Sequence, residues 1–72
     1  MSLTLMQEIS DRAQIVLKTS PLYALRMVTV QELDDCLVLT GRVSTFYQKQ
    51  QAQELVRSVA GSALVTNQIE VT

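Results

Sequence analysis

The chain has no histidine and no tryptophan, one cysteine, one proline and two glycines in 72 residues. Each shortage narrows the chemistry. Without imidazole, the usual activation of a serine or cysteine nucleophile is missing, and a Cys/His zinc centre has no ligands. Cys36 has no second cysteine to bridge to, so neither an intrachain disulfide nor an oxidising compartment is implied. Its neighbours Asp34 and Asp35 oppose the thiolate that a redox or nucleophilic role requires. The seven acids are scattered apart from that pair, which reads as a solvated turn and not as a metal site. A phosphate-binding loop needs several glycines, and "LTGRVST" holds one. Catalytic, cofactor-binding and metal-binding residues, and a small-molecule substrate, are therefore not expected.

Long apolar runs and strong charge are also lacking. No hydrophobic stretch approaches the roughly 18 residues of a membrane span. "MSLTLMQEISDR" carries Glu8 and Asp11 and no basic start, so it does not read as a signal peptide. Taken as a complete protein, the chain would be expected to stay in the cytoplasm. Six basic and seven acidic residues leave a net charge of −1, which exerts no long-range pull on nucleic acid.

What is present describes a small folded unit. Hydrophobic residues make up 47% and charged residues 18%, enough for one modest core over residues 1–72 as a single domain. Leu5, Met6, Ile9, Ala13, Val16 and Leu17 recur at helical period, with Ile15 on the opposite side. Thr4 and Gln7 have capping-box spacing, and Pro21 disfavours helix at Ser20. "RMVTVQE" alternates, Val28 and Val30 on one face and Met27, Thr29 and Gln31 on the other. "LDD" reads as a turn, its carboxylates folded back onto nearby amides.

"CLVLTGRV" then sets Leu37, Leu39, Gly41 and Val43 inward and Cys36, Val38, Thr40 and Arg42 outward, completing an antiparallel hairpin. A second helix is capped by Ser44 or Thr45 and stopped by Gly61, and it buries Ala52, Leu55, Val56 and Val59. "LVTNQIEV" is the last strand, with Val65, Asn67, Ile69 and Val71 on one face. The expected order is α-β-β-α-β: an α/β (α+β) two-layer sandwich with two helices on one face of a three-stranded mixed sheet. Its apolar second strand would be central, parallel to the last strand through a right-handed crossover. Gly41, on the helix side of the central strand, is expected to admit a helix backbone; a bulge or a positive φ is the competing explanation.

"VTV" at Val28–Val30, "LVLTGRVST" at Leu37–Thr45, "QAQELVRSVAG" at Gln51–Gly61 and "VTNQIEV" at Val65–Val71 together resemble the BON family. These are small bacterial modules named after osmotically induced and nodulation proteins. The resemblance runs from about Asp11 to Val71 and places the family's strand glycine at Gly41 and its helix-ending glycine at Gly61. Its last-strand valine and asparagine fall at Val65 and Asn67; Ser62 stands where the family often has valine. It implies a non-enzymatic module that binds phospholipid surfaces or helps envelope proteins assemble, commonly in the periplasm, with no catalytic residues to carry over.

Two surfaces are candidates for such contacts. Phe46 and Tyr47, with Lys49 close by and Arg42 not far off, could rest at a lipid headgroup layer. Alternatively, Phe46 tucks under the end of the first helix or against Tyr23. Met27, Cys36 and Val38 would make the uncovered sheet face apolar, a surface for a second copy or a neighbouring domain unless Arg26 and Arg42 screen it. Having no aromatics, that face is not an RNA-stacking platform. An unpaired edge strand offers strand addition as another route. Asn67 is expected to satisfy a backbone group near Gly61. The leading expectation is a non-catalytic binding module at a membrane surface or inside a larger envelope assembly, and the alternative a homo-oligomerising or scaffold domain without lipid affinity.

Overall fold

The computed structural model describes residues 2–72, with side-chain surroundings from residue 7 onward. Helix α1 spans Ser2–Lys18 and buries Ala13 and Leu17 completely, with Ile9 and Val16 half-buried and Ile15 outside. The expected stripe members Leu5 and Met6, and the Thr4 side chain of the expected cap, lie outside the described residues. The helix ends where Pro21 makes a further turn unfavourable; Thr19 donates both its N–H (2.9 Å) and its hydroxyl (2.7 Å) to the Ile15 carbonyl.

A third helix, absent from the expected order, follows: α2, Tyr23–Arg26. It is nucleated by Ser20, whose Oγ accepts from the Leu22 N–H at 3.1 Å, and it buries Leu25. A four-residue helix has no apolar period to read. Met27 caps it and precedes β1, so Met27 does not stand on a sheet face as expected.

Strands β1 (Thr29–Leu33) and β2 (Cys36–Thr40) form the antiparallel hairpin, with Val30 opposite Leu39 and Leu33 opposite Cys36. Asp34 and Asp35 make the turn with φ of 50° and 62°. Left-handed backbone at both central positions produces it, rather than carboxylates folded onto amides. After Gly41 comes β3 (Arg42–Val43), then α3 (Phe46–Ala60), β4 (Leu64–Asn67) and β5 (Glu70–Val71).

The sheet differs from the single one expected. A three-stranded sheet has the order β1-β2-β4, with β2 central and β4 parallel to it, and β3 and β5 form a separate parallel pair. Cys36 faces Leu64 before the break and Arg42 faces Glu70 after it, so the register is unchanged. Bonds from Gln68 N to Leu39 O (2.8 Å) and Glu70 N to Gly41 O (2.9 Å) carry the ladder through.

Gly41 causes the break. Its φ is +139°, and a Cβ there would lie 3.3 Å from the Met27 carbonyl oxygen and 3.4 Å from Val28 Cα. The close neighbour is the chain entering β1, not a helix backbone, so positive φ accounts for this glycine and helix approach does not. Gly61, at the C-cap of α3 with φ 62°, is likewise conformational, because nothing lies within 4 Å of a Cβ built on it.

The expected inward residues Leu37, Leu39 and Val43 are buried, together with Val28, Val30, Val56 and Ile69, between the helices and one side of the sheet. The other side has no helix over it.

Candidate docking surfaces

The first surface lies at the start of α3. Thr45 is the N-cap: its Oγ1 accepts from Gln48 N at 3.0 Å, and Gln48 Oε1 accepts in return from Ser44 N at 2.9 Å. These two bonds hold the first turn in place. Phe46 and Tyr47 therefore point outward, 76% and 70% exposed. Phe46 does not tuck under α1 or against Tyr23, and Tyr23 is itself exposed. Phe46 overhangs a cleft of about 560 Å³, which Arg42, Lys49, Ile69 and Glu70 also line. Arg42 Nε lies 3.3 Å from Glu70 Oε1 in an exposed pair, of a kind worth about 0–1 kcal/mol and screened by salt. Lys49 is half-buried.

The second surface is the open side of the sheet. Cys36 is there and half-exposed, its Sγ 3.1 Å from Thr66 Oγ1 on the neighbouring strand. Val38 is on this side too, but it is only 7% exposed. Gln31 and Thr66, its neighbours on β1 and β4, flank it on the central strand, so it is not the accessible contact expected. Met27 is exposed but stands off the sheet. The accessible apolar residues are Leu33 and Leu64, 56% and 71% exposed, which sit either side of Cys36 in one cross-strand row. Leu33 is the last residue of β1 and not part of the turn, and Leu64 is the first residue of β4. The period-two parity of each strand carried both. Arg26 does not screen this face. It donates to Ser20 O at 3.1 Å, its guanidinium 5.6 Å from the Tyr23 ring centre.

A groove that sequence reasoning did not find lies on the helix side. It has a volume of about 620 Å³ between the end of α1, α2 and α3, with Val16, Pro21, Leu22, Leu25 and Leu55 among its walls. It forms where α3 meets the end of α1 and α2, a meeting of distant segments that no local pattern reports.

Asn67 ties α3 to the sheet. Its Nδ2 donates to Lys49 O (3.0 Å) and to Gln53 Oε1 (3.1 Å), and its Oδ1 accepts from Ile69 N (3.1 Å). The bonded groups lie in the first half of α3 and at the sheet break, not near Gly61 as expected.

Among the described residues, no three His, Cys, Asp or Glu side chains come together as a metal site, and no helix is long and apolar enough to cross a membrane. The groups that stand out are apolar and cationic ones on the surface, an arrangement suited to contact and consistent with a non-enzymatic binding module. No curated protein matches the chain. Residues 8–72 match the BON domain, which covers most of the sequence, and the chain belongs to the BON domain family.

Proposed function

We propose that the protein is a binding module that associates reversibly with phospholipid surfaces, as part of an envelope assembly, through the lip formed by Phe46, Tyr47, Lys49 and Arg42. The observation that carries this reading is the outward projection of two adjacent rings from a firmly capped helix start. Rings of this kind favour the boundary between headgroups and acyl chains. Fully burying a large apolar side chain contributes about 1.5–3 kcal/mol, and each cation near an anionic surface up to about 1 kcal/mol. Two partly immersed rings with one lysine and one loosely paired arginine therefore support weak, reversible attachment.

Co-sedimentation with vesicles tests it. The double substitution Phe46→Ala and Tyr47→Ala is expected to leave the far-ultraviolet circular dichroism unchanged and to move the protein from pellet to supernatant. Equal binding by the double variant removes the lip from consideration. No binding by the parent to neutral or anionic vesicles removes the lipid reading altogether, and favours a scaffold that contacts protein alone.

A further inference from the structure

We infer that the open side of the sheet is a self-association surface, on which a second copy of this chain packs face to face about a two-fold axis near Cys36. This goes beyond lipid contact and uses a different part of the molecule. Two features select a second copy as the occupant.

The first is charge. The outward positions of the three-stranded sheet are Thr29, Gln31 and Leu33 on β1, Cys36, Val38 and Thr40 on β2, and Leu64 and Thr66 on β4. None of them is charged, although charged residues make up 18% of the chain. Covering the three-stranded part of this face strips no ion of its water, and setting it against itself brings no like charges together; the exposed Arg42–Glu70 pair lies beyond the break, outside this contact. A neutral face gives an anionic membrane nothing to grip.

The second is symmetry. Across the strands the end row reads Leu33, Cys36, Leu64, the same in both directions, and the next reads Gln31, Val38, Thr66, polar on both sides of an apolar centre. A two-fold axis lying between the two copies and parallel to the central strand lays Leu33 on the partner's Leu64 and Cys36 on the partner's Cys36. A closed two-fold contact requires that self-match. Small residues on the central strand let the sheets approach to the usual spacing of roughly 10 Å.

Three strands of about five residues span only roughly 14 by 17 Å. That is smaller than a standard stable interface, so the dimer is transient and concentration-dependent.

Sedimentation equilibrium of the full chain over a concentration series up to millimolar tests the inference. The weight-average mass is expected to climb toward twice that of one chain. Leu64→Glu and, separately, Thr66→Arg are each expected to weaken dimerisation at least tenfold; both sites are exposed, and thermal melts verify that the variants fold. Phe46→Ala with Tyr47→Ala is expected to dimerise like the parent, so loss of vesicle binding and loss of self-association are separable. A short bis-maleimide is expected to couple Cys36 to Cys36 at associating concentrations and not in Leu64→Glu. Raising salt should leave the association intact or strengthen it. A parent that stays single up to millimolar concentration overturns the inference, as does folded Leu64→Glu that dimerises undiminished, or a dimer that salt dissolves.

Discussion

A methyl group added at Gly41 would sit 3.3 Å from the Met27 carbonyl oxygen, on a backbone whose φ of +139° side chains rarely adopt. Both the backbone conformation and the crowding oppose it. Gly41→Ala is expected to cost about 1–3 kcal/mol, seen as a lower urea midpoint at unchanged m-value. The opposite experiment exists at the hairpin tip. Asp34 and Asp35 both hold left-handed backbone, which the Asn-Gly pair adopts far more readily. Asp34→Asn combined with Asp35→Gly should therefore raise stability by about 0.5–1 kcal/mol in the same assay. Residue identity explains the turn's position, whereas its type follows from the register of Leu33 against Cys36.

Between elements, two side-chain amides do the joining. Gln14 on α1 donates to Val28 O at 3.0 Å and accepts from Val30 N at 2.9 Å, satisfying backbone groups on the outer edge of β1. It stands where another strand would add, so strand addition is opposed on that part of the edge. Gln14→Ala is expected to destabilise by about 1–3 kcal/mol and to speed amide exchange at Val30. Asn67 has the matching role at the other edge of the sheet, bonded to α3 and to Ile69 N. Asn67→Ala leaves Ile69 N–H without its partner and should cost a similar amount, about 1–3 kcal/mol, with faster exchange at Ile69. Sequence parity showed that Asn67 points inward. Which carbonyl it meets depends on where α3 lies over β4, a matter of packing between segments far apart in the chain.

For the whole molecule, the decisive feature is one-sidedness. Both long helices cover the face carrying Leu37 and Leu39, and the row Leu33, Cys36, Leu64 is left in water. The rings of Phe46 and Tyr47 lie at a separate lip, so surface attachment and pairing of copies can proceed together. They should also respond differently to salt: screening weakens the cationic part of membrane contact and leaves apolar pairing untouched. Vesicle binding and sedimentation, each followed across a salt series, are expected to diverge in this way. A common loss of both at high salt would show that one surface serves both contacts.

Periodicity was enough for α1, α3, the strands of the hairpin and the buried set Leu37, Leu39 and Val43, because each strand or helix must turn its apolar side toward a core; the parallel partner of β2 followed from the handedness of the crossover. It was also enough for the projection of Phe46 and Tyr47 from the buried stripe of α3, though not for where those rings would come to rest. Long-range proximity settled the rest. The Met27 carbonyl crowds Gly41, Gln31 and Thr66 flank Val38, and Leu33 and Leu64 become neighbours only through the strand between them. A linear pattern records which way a side chain points; what stands opposite it is set by how distant segments pack.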